Sequence, residues 1–303
     1  MALRAIAGRN WRSIFESWSA GPKPTEQEKC ENAERAVKKA IAASTALAKR
    51  DVVVKAQGSY NNRTNVRLDS DVDVRVCLQS TFIPLYAPGV TAADLRHVSA
   101  TYLQREFKDD VEKALRKYFG DAAVVRGEKA FDIHENTYRL DADVVPVLEY
   151  NWYFRRDGEI RRHIGTSLFP DGGNRIINWP EQNYENGVRK NDETKRHFKR
   201  VVRILKRLRN EMVEEGVPEA APIASYLIES LVWNVPNVGF TGDYFDEVRY
   251  ALIHLFNGTK TDESVKEWFE VNQLKRLFGA DQRWTREQVN AFILAAWRYV
   301  GFE

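Results

Sequence analysis

The chain has 303 residues, of which 43% are hydrophobic and 12% aromatic, enough to build a packed core in one large domain or two moderate ones. This composition excludes an intrinsically disordered protein. The net charge of +3 permits nucleotide binding but does not indicate a protein that binds long nucleic acids.

Cysteine content and hydropathy narrow the class of protein further. Cys30 and Cys77 are the only cysteines, so zinc-binding spacing is absent and a disulfide framework is implausible. We therefore expect a reducing, cytoplasmic location. Since no apolar run approaches the length needed to span a bilayer, no membrane partner is expected.

Strand and helix patterns alternate over the first half of the chain, and helical patterns dominate the second half. In chain order we predict a helix at 25–49, strands at 51–57 and 67–78, a loop at 79–91, a helix at 92–119, a hairpin at 122–134, a strand at 138–150, a loop at 155–174, and helices at 192–215, 221–233, 243–256, 262–278 and 285–299. These patterns predict an α/β half followed by a helical half.

Two aspartates spaced i, i+2 are the strongest chemical signal. Asp71 and Asp73 lie on a strand pattern, which places both carboxylates on one face and Val72 and Val74 on the other. Neighbouring carboxylates repel each other unless a cation lies between them. Oxygen ligands of this kind suit the divalent metals that hold a triphosphate during phosphoryl transfer.

A Gly-Ser turn precedes these acids and strengthens the signal. At Gly58 the backbone can approach a phosphate closely, and Ser59 can donate a hydrogen bond to it. The alternative is a plain turn followed by an edge strand with solvated acids. The two motifs together favour a phosphate and metal site.

A third carboxylate is needed for a two-metal site. Asp143 precedes Val144-Val145-Pro146, an apolar run typical of a central strand, where an acid is tolerated only if it is paired or bound to metal. Asp141 shares the same parity and is the competing candidate. It lies nearer the start of the strand, where solvation is the expected role.

Two helical segments carry candidate phosphate contacts. Lys199, Arg203 and Lys206 are spaced i, i+4, i+7 and form one basic stripe, which taken alone favours an ordinary solvated face. Ser225 opens the next helix, where a hydroxyl suits a phosphate, and the adjacent Tyr226 could stack on a base. A capping serine and a core tyrosine are equally compatible with that spacing.

Taken together, these motifs resemble the bacterial cGAS-like nucleotidyltransferases, the CD-NTases of anti-phage (CBASS) signalling, and within them the E clade of CdnE cyclic dinucleotide synthases. The resemblance covers Gln57 to about Pro236. The motifs that carry it are Gln57-Gly58-Ser59-Tyr60, Asp69-Ser70-Asp71-Val72-Asp73-Val74, Asp143-Val144-Val145-Pro146, Asn178-Trp179-Pro180, Tyr184-Glu185-Asn186-Gly187, Ser225-Tyr226 and Asn234-Val235-Pro236.

The resemblance implies a polymerase-β-like nucleotidyltransferase core, expected at residues 1–186, with a C-terminal helical domain at 187–303. It also implies Mg²⁺-dependent joining of two nucleoside triphosphates into a cyclic dinucleotide, with two metal ions and with Mn²⁺ able to substitute. Pyrophosphate leaves at each of two steps. UTP and ATP are the expected substrates.

The resemblance also assigns roles to individual residues. By motif match the metal ligands are Asp71, Asp73 and Asp143, the triphosphate is held by Gly58 and Ser59, the outer phosphates are contacted by Lys206 and Ser225 with Lys199 as a second basic contact, and a base is stacked by Tyr226. The position of Asn178 is associated in this clade with reading uracil, and an amide can both donate and accept. A uridine-containing product is therefore expected, although Trp179 follows where a tyrosine is expected.

Two other functions are compatible with the motifs. One is a nucleotidyltransferase that modifies RNA or a small hydroxyl acceptor, and the other is a catalytically inactive nucleotide-binding module. The small net charge disfavours a processive RNA-tailing enzyme, and the complete set of three aspartates disfavours an inactive module. No zinc-binding insertion is visible, so activation by duplex DNA is not expected, and a regulatory protein partner stays unassigned.

Overall fold

Seven strands form one mixed sheet within residues 8–66, 72–134 and 141–302, which are the residues that the computed structural model describes. The strands are β1 (Val52–Ala56), β2 (Val72–Tyr86), β3 (Val124–Arg126), β4 (Phe131–Ile133), β5 (Ala142–Arg156), β6 (Glu159–Leu168) and β7 (Ile176–Asn178). Their order is β1-β2-β5-β4-β3, with β6 paired to β5 and β7 paired to β6. β2 and β5 run parallel, whereas the other neighbouring strands are antiparallel.

Helices occupy much of the remaining chain. They are α1 (Trp11–Ser19), α2 (Pro24–Ala42), α3 (Gly58–Asn62), α4 (Gln104–Phe119), α5 (Pro180–Glu193), α6 (His197–Glu214), α7 (Ser225–Trp233), α8 (Tyr244–Gly258), α9 (Asp262–Val265) and α10 (Arg286–Val300). The predicted α/β class with a helical C-terminal part is confirmed.

The alternation in β2 gives the sheet two chemically different faces. Val72, Val74 and Val76 are fully buried in a core that they share with α2 and α4, as predicted. Because side chains alternate along a strand, Asp73 and Arg75 lie on the opposite face. The helices thus cover one face of the sheet and leave the aspartate on the other.

The predicted loop at 79–91 is wrong, because β2 continues to Tyr86. The register of β2 against β5 shifts between Leu78 and Phe82. In the described part of the chain, β1 pairs with β2 only as far as Leu78. Pro84 therefore lies where one side of β2 has no partner strand, and its missing N–H costs no ladder hydrogen bond there.

The predicted loop at 155–174 is also wrong, because residues 159–168 form strand β6. β5 and β6 are joined at Asp157 and Gly158, which have φ of 54° and 81°. Positive φ at both residues is the backbone of a tight hairpin turn, for which Asp-Gly is a strong signal. The many charged residues of the segment masked that signal in the sequence.

Three predicted helices are clearly shorter than expected. In the segment 25–49, α2 ends at Ala42. In the segment 92–119, the α-helix begins only at Gln104. In the segment 262–278, α9 covers Asp262–Val265 and the chain then turns. Asn272 causes part of this change, because its side-chain oxygen accepts hydrogen bonds from the backbone N–H groups of Leu274 and Lys275 and so competes with helical hydrogen bonds.

The chain divides into two compact units. Among the described residues, the helical unit comprises 8–22, 62–66 and 182–302, and the sheet unit comprises 23–61, 72–134 and 141–181. The core of the helical unit combines Trp11 and Phe15 with α6, α7, α8 and α10. Because both units are discontinuous in sequence, the division at 186 stays a prediction.

Both cysteines are buried free thiols. Burial raises the pKa of Cys30 to about 11 and that of Cys77 to about 12. No helix in the described ranges is long and apolar enough to cross a membrane.

Candidate functional site

One row across three strands of the sheet unit carries a carboxylate on each strand. Asp73 of β2 lies directly beside Asp143 of β5, and Asp132 of β4 lies directly opposite Asp143. Asp73 and Asp143 are half-buried, and Asp132 is exposed. Strand pairing thus brings two of the predicted acids together and adds one that the sequence did not single out.

This row supplies the hard oxygen donors that Mg²⁺ prefers. The described residues by themselves hold no cluster of three or more His, Cys, Asp or Glu side chains that could bind a metal ion. The predicted ligand Asp71 lies outside the described residues. The donors present at Asp73 and Asp143 fit a divalent cation, and the three-carboxylate set stays a prediction.

The Gly-Ser turn packs directly against the first of these acids. Gly58 opens α3 with φ of 69°, and a Cβ atom built on it would lie 2.0 Å from Oδ2 of Asp73. The backbone N–H of Gln57 donates to the carbonyl oxygen of Asp73 at 2.8 Å, and half-buried Ser59 follows. Because only glycine allows this close approach, the turn lies directly against Asp73. The phosphate role of Gly58 and Ser59 stays a prediction.

Replacing Gly58 by alanine is expected to reduce nucleotidyl transfer by about tenfold to a hundredfold, because the new methyl group must displace the Asp73 carboxylate. Gly89→Ala is the matched control. Gly89 also has a positive φ of 83°, but a Cβ atom built on it would meet nothing within 4 Å. Turnover and thermal unfolding of both variants provide the check, and equal losses of turnover would contradict the steric argument.

The basic stripe of α6 is buried, so the alternative of a solvated face is wrong. Lys206 is 2% exposed, and its ammonium group lies 3.3 Å from the carboxylate of Glu229 and 3.2 Å from the carbonyl oxygen of Thr64. Glu229 also accepts hydrogen bonds from Thr64 and Asn62. Burial lowers the pKa of Lys206, while Glu229 opposes that change. Its contact with an outer phosphate stays a prediction that requires this cluster to open.

The other two cations of the stripe differ from Lys206. Arg203 donates to the backbone carbonyls of Ser19 and Arg63, so it too serves internal contacts. Burial lowers the pKa of Arg203 to about 10. The ammonium group of Lys199 lies 5.7 Å from the ring centroid of Tyr184, a cation–π distance, and burial lowers its pKa as well.

Ser225 and Tyr226 begin α7, as predicted. Ser225 is exposed and accepts a hydrogen bond from Arg209 of α6. The hydroxyl of half-buried Tyr226 lies 2.9 Å from Glu270 and 3.1 Å from Asn183. Burial and the nearby Glu270 raise the pKa of Tyr226 well above its ordinary value. These bonds fix the ring, so its predicted role in stacking stays open to test.

Lys206→Met is expected to lower the free energy of unfolding by about 3–5 kcal/mol, because it leaves the buried Glu229 carboxylate without its cation.

Lys199→Met removes no such pair and is expected to weaken nucleotide binding by roughly tenfold to a hundredfold. Chemical denaturation and titration of a non-hydrolysable nucleotide separate the two effects. Weaker binding by folded Lys206→Met would reveal a phosphate contact, and an unchanged titration of Lys199→Met would assign that lysine to packing.

The last predicted site residue, Asn178, is exposed at the end of β7. Three residues later Glu181 accepts from both terminal nitrogens of Arg75, with Nη1 at 3.0 Å from Oε2. Burial raises the pKa of Glu181, but the hydrogen bonds and charge of Arg75 outweigh burial, so the pKa lies below its ordinary value. This carboxylate is therefore ionised at neutral pH.

Sequence reasoning missed three residues that the structure places among the candidates. Asp132 alternates with two apolar residues, but only strand register aligns it with Asp143. Arg75 lies two residues after Asp73, so the alternation of the strand already placed both side chains on one face. Glu229 is the lone acid of an apolar helix, which is the pattern of a buried and paired charge.

Known proteins resemble this chain over nearly its whole length. A family model for the cGAS/DncV-like nucleotidyltransferase C-terminal helical domain matches residues 185–301. The chain is 47% identical over 298 residues to a cyclic dipyrimidine nucleotide synthase CdnE of Legionella pneumophila, covering 96% of this chain and 98% of that protein. It is 38% identical to a second cyclic dipyrimidine nucleotide synthase CdnE, from Cecembia lonarensis, over 94% of this chain and 97% of that protein.

A solved structure shares the fold of the chain. It is the CdnE c-UMP-AMP synthase of Rhodothermus marinus with Apcpp and Upnpp, and it superposes with a TM-score of 0.82 at 30% sequence identity. The alignment covers 96% of this chain and 97% of that one. The similarity thus extends over both the sheet unit and the helical unit.

Proposed function

Because the chain belongs to the CdnE group of the cGAS/DncV-like nucleotidyltransferases, we propose that it joins two nucleoside triphosphates into a cyclic dinucleotide. The family and the enzyme class predicted from the motifs are confirmed. The observation that carries the reaction is the row of Asp73 and Asp143 against the Gly58 turn. Two joining steps are required to close the ring, with pyrophosphate released at each.

The acid row is proposed to hold two Mg²⁺ ions through Asp71, Asp73 and Asp143. When bound, these ions would neutralise charge on the reacting phosphate and favour ionisation of the attacking hydroxyl. The chain's own contribution is to place the carboxylates of Asp73 and Asp143 on adjacent strands in one register. Rigid strands hold these donors in place before a nucleotide arrives, which lowers the reorganisation needed for transfer.

The remaining nucleotide contacts are proposed within each unit separately. In the sheet unit, Gly58 and Ser59 hold a triphosphate through backbone N–H groups and a hydroxyl. In the helical unit, Lys199 and Ser225 contact phosphates, with Lys206 joining them only if its buried cluster opens. The ring of Tyr226 stacks on a base.

The product is proposed to contain a pyrimidine, with UTP and ATP as the substrates to test first. Support comes from the names of the Legionella and Cecembia relatives, both cyclic dipyrimidine nucleotide synthases. The exposed amide of Asn178 can donate to one group of a uracil edge and accept from another. We also propose a role in anti-phage signalling and a cytoplasmic location.

Incubating the protein with all four ribonucleotides and Mg²⁺ or Mn²⁺, followed by mass spectrometry, tests this function directly. A cyclic dinucleotide containing uridine is the expected product. Linear tails on added RNA, or no product under any condition, would contradict the proposal.

Asn178→Ser is expected to raise purine incorporation relative to uridine by about tenfold. The shorter hydroxyl leaves one group of the uracil edge unpaired, a loss of ~1–3 kcal/mol. The four-nucleotide competition measures the ratio. If the wild type already makes only purine products, Asn178 is not the selector, and the nucleotidyltransferase assignment stands without its uridine part.

A further inference from the structure

Residues 178–181, here called the base-reading junction, connect strand β7 to helix α5. Asn178 is exposed at one end of the junction, and Glu181 lies at the other end in the first turn of α5. An exposed side chain at the end of a three-residue strand has little support of its own. Its position must therefore come from the contacts of its neighbours.

The first of these contacts is the ring of Trp179. Trp179 is 6% exposed, and its ring centroid lies 5.5 Å from that of Tyr150 and 6.4 Å from that of Trp152, both on β5. A Cβ atom built on Gly165 of β6 would lie 2.6 Å from the carbonyl oxygen of Asn178 and 2.7 Å from the Trp179 ring. The absence of a side chain at Gly165 thus lets the junction lie directly on β6.

The second contact is the ion pair of Glu181 with Arg75. The two terminal nitrogens of Arg75 bind the two oxygens of Glu181, which is the paired geometry that fixes a carboxylate in both distance and orientation. Lys55 of β1 adds a weaker contact, with its ammonium group 3.5 Å from Glu181. The side chain of Arg75 is only 6% exposed and that of Glu181 is 36% exposed, so solvent weakens this pair less than it weakens a pair of two surface residues.

Arg75 links the junction to the acid row. It follows Asp73 by two residues on β2, so both side chains lie on the same face, one strand repeat of roughly 7 Å apart. Across the sheet, Arg75 pairs with Val145, two residues beyond Asp143. A single strand segment therefore carries both an acid of the row and the group that holds the junction.

We propose that Arg75 and Glu181 are positioning residues for base selection, holding the base-reading junction at a fixed distance from the acid row. Neither residue contacts the base, and both act through Asn178. This inference rests on the proposed function, because it assumes that a base is read at Asn178. With the pair intact, the distance between Asn178 and the acid row is fixed. Only a nucleotide whose base edge matches the amide then places its phosphates at the acid row.

The test compares Glu181→Gln and Arg75→Lys with the wild type. Glutamine keeps the shape of the side chain but loses the charge, and lysine keeps the charge but loses the fork of donors. The ratio of preferred to disfavoured base in a four-nucleotide competition is expected to fall at least about threefold in both variants. The ratio of affinities for non-hydrolysable UTP and ATP analogues, measured by calorimetry, is expected to fall in parallel.

The controls separate positioning from stability. Glu34→Gln breaks a partly exposed pair with Lys38 in the same unit and should leave both ratios unchanged. The double variant Arg75→Met with Glu181→Leu removes both charges together, which avoids leaving one buried charge unpaired. It should fold and should show the same loss of selectivity, because a ratio measured within one protein does not depend on the folded fraction.

The outcomes for the two proposals are distinguishable. Unchanged ratios in the two single variants or in the double variant would overturn the positioning role, even if the wild type makes the expected cyclic dinucleotide. A wild type that shows no base preference would overturn it as well. A wild type that makes only purine products removes the uridine part of the proposed function and the positioning role with it, because Asn178 is then not the selector. If the wild type makes no cyclic product, the proposed function fails, and the ratio of analogue affinities still decides whether Arg75 and Glu181 set base preference.

Discussion

Replacing Asp71 and Asp73 together by asparagine is expected to lower product formation at least roughly a thousandfold while the fold persists. Asparagine keeps the size of each side chain but removes two negative charges from the acid row. A thousandfold loss corresponds to about 4 kcal/mol of transition-state stabilisation, which is within what metal anchoring supplies. Product quantified by mass spectrometry, together with thermal unfolding, measures both parts of the expectation.

Stability should not fall in this double variant. Asp73 lies directly beside Asp143, and like charges side by side repel one another. Removing the negative charge of Asp73 relieves this repulsion, so the thermal midpoint of unfolding is expected to stay unchanged or to rise. The matched control is Asp121→Asn, an exposed acid of the same unit, which should retain full turnover. Near-normal turnover of the Asp71 and Asp73 double variant would contradict the metal site itself.

Asp143→Ala is expected to abolish detectable turnover, whereas Asp141→Ala should change mainly stability. Asp143 occupies the position on β5 that pairs with Asp73, on the face that carries the acid row. Asp141 precedes β5, and its backbone carbonyl accepts a hydrogen bond from the N–H of Val72 at 2.8 Å, a contact that alanine keeps. Turnover and unfolding measured on the same preparations discriminate the two carboxylates.

Asp132→Asn completes this comparison, because Asp132 lies directly opposite Asp143. Its side chain is exposed, so we expect a loss of turnover of less than about tenfold. A loss as large as that of Asp143→Ala would make Asp132 a ligand that the sequence alone did not reveal. Inactive Asp141→Ala beside active Asp143→Ala would contradict the choice of the third acid.

Local patterns in the sequence were enough to single out Asp73, Asp143 and the turn at Gly58, but not Asp132. Strand periodicity is a property of neighbouring residues, so the valines of β2 could be assigned to the core and Asp73 to the other face before any partner strand was known. The steric need for glycine at Gly58 is set instead by the Asp73 carboxylate on β2, which only the tertiary structure reveals. The family and the reaction class followed from these motifs in their order along the chain.

Where the sequence signals were mixed, strand pairing decided the secondary structure. Residues 79–86 contain a proline, and residues 159–168 are rich in charge, so both lack the alternation typical of a strand. β5 pairs with each of them and supplies hydrogen bonds that no local pattern encodes. In the opposite direction, side-chain hydrogen bonds of Asn272 compete with the helical hydrogen bonds that the apolar spacing predicted at 262–278.

Only the tertiary structure decided what the charged residues do. A basic stripe on a helix has the same sequence pattern whether it faces water, a phosphate or the interior. Lys206 is buried because Glu229 and Thr64, distant in sequence, supply a carboxylate and a carbonyl at the point where its ammonium group ends. The pair of Arg75 and Glu181 likewise joins residues 106 positions apart. The free energy of a charge depends on its neighbours in space, and the fold alone brings those neighbours together.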